Sequence, residues 1–146
     1  MQASTVELRT LLKAIQGCDV GTSRWGWDRH YRAALIVTDS KTGYALDEVV
    51  NNILPETWKE NPETPPPESI ANLIAYLSGL RPAQHLHTKI LDDANVLFGA
   101  FWPWDNESLV SIRIGIIQNT PTLESTYEQQ RLVCGIFCPG ELPRLH

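Results

Sequence analysis

Apolar residues recur at helical spacing in three stretches of the chain. Over residues 4–16, Leu8, Leu11, Leu12 and Ile15 follow the zero, three, four, seven order that stacks side chains on one face of a helix. Ser4 and Glu7 form a capping-box pair at its start, and Gly17 supplies the stop. Leu46, Val49, Val50 and Ile53 repeat the spacing, which places Asp47 and Glu48 in a first turn where the helix dipole favours negative charge. Ser40–Gly43 reads as the turn before that helix, and Pro55 ends it. Ile70, Leu73, Ile74 and Leu77 repeat the pattern over residues 68–78, ahead of Gly79 and Pro82.

Elsewhere the rhythm shortens to two. Residues 32–38 are apolar on both sides and β-branched at the end, which suits a strand covered on both faces. Residues 84–91 set His85, His87 and Lys89 against Leu86, Thr88 and Ile90, and residues 109–118 set Val110, Ile112, Ile114 and Ile116 against Ser111, Arg113 and Gly115. Between them lies a strand over 96–102, bounded by turn-forming residues on both sides, and the run 131–138 reads as a last strand. Short turns favour antiparallel pairing. The pattern therefore predicts one α+β domain over residues 1–146, an antiparallel sheet of about four to five strands with three helices mainly on one face. Residues 59–67, with four prolines, form an exposed loop.

Composition narrows the classes of function. With 146 residues, 42% of them hydrophobic and 20% charged, the chain is a globular domain and not a disordered tail or a rod. No run approaches the ~18 residues needed to cross a bilayer, and no basic-then-apolar leader opens the chain, so a soluble, cytoplasmic protein without a membrane role is expected. Cys18, Cys134 and Cys138 make an odd count, which argues for reduced thiols. A net charge of −5 argues against nucleic-acid binding through global charge, though not through a local basic patch. No glycine-rich phosphate loop, serine elbow, H-E-x-x-H or EF-hand spacing is present, so no cofactor is expected.

The residues with chemistry to offer begin with His85 and His87. Period two sets both imidazoles on one side of a strand, read as the wetter side, where their nitrogens could share a metal or a phosphate. Zinc would need a further ligand, with Asp92, Asp93, His30 and Cys134 available. Lys89 extends that face. If the strands pair in register, Arg113 and Ser111 join it beside Phe98, Phe101 and Trp102, a surface suited to single-stranded nucleic acid. The order His87-Thr88-Lys89, then Asp92, then Gly99-Ala100, resembles the H-x-K, Asp, Gly-Ser pattern of the phospholipase D superfamily. It departs from that pattern in the spacing from Lys89 to Asp92, in Ala100 for serine and in Trp102 for asparagine. The resemblance implies His87 as nucleophile, Lys89 as phosphate holder and Asp92 as the acidic residue.

The tetrapeptide W-x-W-D occurs twice, as Trp25-Gly26-Trp27-Asp28 and as Trp102-Pro103-Trp104-Asp105. Paired tryptophans on loop-forming flanks suit an anchor for a protein partner. The reading these features favour is a small regulatory or binding protein, a subunit in a larger assembly, using Trp25, Trp27, Trp102, Trp104 and the proline-rich arm. Two alternatives stand beside it. One is a small hydrolase or phosphodiesterase centred on His85, His87 and Lys89, with Asp92 or Asp93 as the orienting carboxylate. The other is a nucleic-acid-binding module that uses the sheet face with Arg113.

Overall fold

The computed structural model describes residues 5–92, 95–106, 108–118 and 122–144. Each of the three apolar stripes folds as a helix: α1 (Thr5–Gln16), α2 (Ser40–Ile53) and α3 (Glu68–Tyr76). Ser4, proposed as the cap of α1, lies outside the described residues. Helix α2 starts at Ser40, six residues before the first residue of its apolar stripe, Leu46. The Asp39 carboxylate accepts from the Thr42 amide at 2.8 Å and caps it, so Ser40–Gly43 is the first turn of the helix and not a separate turn. Asp47 is thereby moved from the helix start to its middle.

The sheet has six antiparallel strands in the order β1-β2-β6-β5-β4-β3, where β1 is Gly26–Asp28, β2 Ala33–Asp39, β3 Glu56–Lys59, β4 His85–Ile90, β5 Asn95–Pro103 and β6 Leu109–Gln118. The α+β class and the antiparallel sheet agree with the sequence pattern. The counts do not: six strands and four helices are found among the described residues, against four to five and three. The extra strands β1 and β3 are three and four residues long and form the two edges. The fourth helix, α4 (Leu123–Phe137), replaces the strand expected at 131–138. Thr122 and Ser125 close a capping box at its start, and Val133, Cys134 and Phe137 are buried at helical spacing. An unbroken apolar run such as 132–138 suits a buried strand as well as a helix, and only the cap at Thr122, ten residues before the run begins, decides.

Both faces of the central strands are covered. On one face α1, α2 and α4 bury Leu12, Ile15, Leu46, Val50 and Phe137 against Leu97, Phe101, Ile112 and Ile114. On the other, α3 buries Ile70, Leu73 and Leu77 against Leu86, Val96, Phe98 and Ala100. This is why β5 reads as a continuous apolar run rather than an alternation. The proline-rich stretch leaves β3 as an exposed connection to α3, with Pro66 half-buried.

Two glycines set how closely α2 lies on the sheet. A Cβ on Gly43 would fall 1.9 Å from Cγ2 of Val110 in β6, and one on Gly99 in β5 would fall 2.6 Å from Cγ1 of Val50 in α2. Helix and sheet therefore meet at backbone distance. Alanine at position 43 improves helix propensity by about 1 kcal/mol, yet it must displace a buried, β-branched valine. Overpacking of that kind costs about 1–3 kcal/mol. Gly43→Ala is expected to lower the urea midpoint of unfolding, and a raised midpoint would show that the contact is loose.

Candidate functional site

Two elements deliver three side chains to one point. Asp47 sits on the buried side of α2, in the row with Gly43, Val50 and Leu54, which is the side that presses on the sheet. His85 and His87 point toward it from β4, and Gly99 stands directly opposite His87 in β5. Because Gly99 has no side chain, α2 can descend over His87. Asp47 Oδ2 lies 2.7 Å from His85 Nε2, and Oδ1 lies 2.8 Å from His87 Nε2. A third element, β3, joins on the far side of the ring, where His87 Nδ1 is 2.9 Å from Thr57 Oγ1, whose hydroxyl donates to Asn51 Oδ1 of α2 at 3.0 Å.

The pairing of the histidines on one face is as the alternation requires, but that face is not the wetter one. It is the face covered by α2. The His87 side chain is 4% exposed and that of His85 17%. Burial by itself would push the Asp47 carboxyl up. Hydrogen bonds from His85 and His87, together with their charge, outweigh it and hold the group below the ordinary carboxylate value. Asp47 is therefore ionised at neutral pH and can only accept.

His85 differs from His87 in having one edge open. Its ring stacks on Phe101 at 4.6 Å with an interplanar angle of 10°, and its Nδ1 has no hydrogen-bond partner among the described residues. It borders a cleft of about 440 Å³ whose other walls include Tyr44, Lys59, Glu60, Arg81 and Gln84. Arg81 is carried by a tight turn in which Gln84 N–H donates to the Arg81 carbonyl at 3.0 Å. Ala83 in that turn takes φ +70°, a left-handed conformation that is strained for a residue with a Cβ. Two cations and one carboxylate thus face a ring whose far nitrogen is fixed. Such a cluster can relay a proton through the open ring. Its two imidazoles and carboxylate can equally hold a metal.

The other sequence candidates fall elsewhere. Lys89 shares the histidine face, opposite Leu97, but the cations at the cleft are Lys59 and Arg81. Asp92 accepts from the Asn95 amide at 2.9 Å and shapes the β4–β5 turn, and Asp93 lies outside the described residues. The carboxylate sequence reasoning missed is Asp47, whose signal was an acid next to Leu46 and three before Val50, on the apolar side of the stripe. Both nitrogens of His87 are engaged by side chains, which leaves none open for the attack that the phospholipase D resemblance implied. His30 is exposed beyond β1, and Cys134 is buried in α4 with its Sγ 3.5 Å from that of Cys138, one helical turn away and not along a strand.

Arg113 and Ser111 are on the opposite face from the histidines. Arg113 pairs with Ala100 while His87 pairs with Gly99, so one residue of register separates the two sets. Arg113 Nε donates to Asp28 Oδ2 at 2.7 Å, and its guanidinium lies 4.4 Å from the Trp102 ring. A shared cationic sheet face for nucleic acid does not form. Trp25 and Trp27 pack half-buried on the main core, Trp25 edge-on to Phe137, and Trp102 packs on the α3 side. Among these four only Trp104 is exposed, at 45%, with its indole N–H donating to Ser111 Oγ. Comparison with protein families, with curated proteins and with solved structures yields no match for this chain.

Burial raises the Asp28 carboxyl, but the Arg113 hydrogen bond, the amides of Tyr31 and His30 and the guanidinium charge lower it further, to a net value below the ordinary one. A group depressed on folding stabilises the protein above its unfolded pKa of about 3.9 and loses that contribution as pH falls through the folded value. Asp28→Asn is expected to be less stable at pH 7 and to lose less stability than the parent between pH 5 and pH 3. Parallel acid limbs for the two proteins would contradict this.

Proposed function

We propose that the protein is a small hydrolase acting on an anionic ester, with phosphodiesters the first class to test, at the cleft beside His85. The observation that supports it is the open edge of His85, on a ring fixed by Asp47 and Phe101, facing a cleft flanked by Lys59 and Arg81. The two cations hold the anionic group, and Tyr44 with Phe101 offers an aromatic wall to the organic part. The Asp47, His85 and His87 cluster activates water. The water oxygen bonds to phosphorus, the ester P–O bond breaks, and the alcohol leaves with a proton. This keeps His85 and His87 from the sequence-based reading, puts Asp47 in the place of Asp92, and assigns the anion to Lys59 and Arg81 in the place of Lys89.

The rival reading, a binding or regulatory protein that meets its partner through tryptophan, is favoured by one observation. Trp104 stands exposed beside Asp105 and Asn106, while the other three tryptophans of the repeated tetrapeptide are packed. On that reading Trp104→Ala lowers recovery of a stoichiometric protein partner and leaves the unfolding midpoint of the free chain in place. Equal recovery by both proteins would count against it.

For the hydrolase, turnover of bis(4-nitrophenyl) phosphate is expected to fall by at least about 100-fold in His85→Ala, the lower end of what a positioned group contributes. Arg81→Ala is expected to raise KM more than it lowers kcat, as for loss of uniform binding. No turnover of phosphodiesters, phosphomonoesters or carboxylic esters by the parent protein would end the proposal.

A further inference from the structure

A proton count around His87 leaves one position to be filled. The Thr57 hydroxyl has a single proton, and it is given to Asn51 Oδ1. Toward His87, Thr57 can then only accept, so Nδ1 of that ring carries the hydrogen. A neutral His87 therefore turns the bare lone pair of Nε2 toward Asp47 Oδ1 at 2.8 Å, acceptor against acceptor. Something positive must lie between them. The His85 ring, centred 4.8 Å away, directs its own Nε2 at the other oxygen of the same carboxylate at 2.7 Å, and His87 is nearly sealed from solvent. One dication among the three groups satisfies both rings while they remain neutral.

We propose that Asp47, His85 and His87 form a binding site for a divalent transition-metal ion of the zinc class, next to the cleft that His85 lines. The ligating atoms lie within 4.8 Å of one another. Donors around a tetrahedral zinc ion at ~2.1 Å stand about 3.4 Å apart, so the pairs at 2.7 and 2.8 Å need to open by roughly half an ångström. The half-exposed cleft edge allows it at His85. Two imidazoles and one carboxylate are a borderline donor set that excludes calcium and magnesium as the preferred occupants. Thr57 and Asn51 act as positioning residues, since an imidazole that donates its remote N–H is held at the angle and basicity that a metal needs. The inference rests on the hydrolase reading only for its use: a bound ion would be the group that activates water there.

The test uses full-length protein stripped with chelator and titrated with Zn²⁺ by calorimetry and with Co²⁺ by visible absorption. One equivalent is expected to bind, with the Co²⁺ bands of a four-coordinate nitrogen and oxygen site. Affinity is expected to drop at least about 100-fold in Asp47→Ala and in His85→Ala, and about 10- to 100-fold in Thr57→Val, which touches no ligand atom. Circular dichroism of each variant confirms that it folds, and Thr57→Val serves if either ligand variant does not. Absence of saturable binding, or binding unchanged in all three variants, overturns the metal site. Stoichiometric metal without ester turnover keeps the site and removes the hydrolase. Turnover that survives complete metal removal keeps the hydrolase and overturns the ion's part in activating water.

Discussion

The close seating of α2 on the sheet is the contact on which the candidate site depends. Gly43 in the helix and Gly99 in the sheet remove the two side chains that would hold the layers apart. The gap they leave is filled by Val110 at one end and Val50 at the other, both buried. At that distance a short side chain such as aspartate reaches β4 directly, and a longer acid at position 47 would not be needed. The same seating buries His87 and pulls Asp47 out of bulk water, which strengthens every charge interaction within the cluster. Packing and chemistry here have one cause.

Much of the architecture was legible from periodicity, and what escaped did so for physical reasons. Stripes at three and four residues marked α1, α2 and α3 because each buries one face only. The edge strands β1 and β3 were illegible because three or four residues hold no measurable rhythm, and their pairing partners, not their own sequence, make them strands. Helix α4 was misread because an apolar run carries no period, and Gly135, exposed on its outer side, weakened the helical signal. Alternation correctly united His85 and His87 but could not tell which face a helix would cover. Asp47 is remote in sequence and is joined to them only by tertiary packing.

The two faces divide the polar residues between structure and chemistry. On the α3 side, Arg113 is consumed by Asp28 and sandwiched near Trp102 and Tyr31, and Trp58 N–H donates to buried Thr88 Oγ1. Asp28, Arg113, Trp58 and Thr88 thus find partners within the fold, whereas the buried Trp102 indole N–H has none among the described residues. The α2 side holds the reverse arrangement, with a ring nitrogen of His85 left to solvent at a cleft and cations gathered around it. A second cavity of about 190 Å³, walled by Tyr31, Arg32, Tyr76, Gln118 and Gln129, has no imidazole or carboxylate among its described lining residues. Chemistry concentrates where a polar atom is held in place and still left incomplete.

Strand order also governs when the molecule can assemble. Strands β4, β5 and β6 follow one another in sequence, whereas β2 must find β6 across about half of the chain, pairing residues 34–39 with 109–114. Closing that long loop carries the largest entropic penalty among the strand pairings, which places it late on the path to the native state. Helix α2 follows β2 directly and is carried into place with it. The half of the cluster on the meander is therefore laid down early, and its carboxylate arrives with the slowest step.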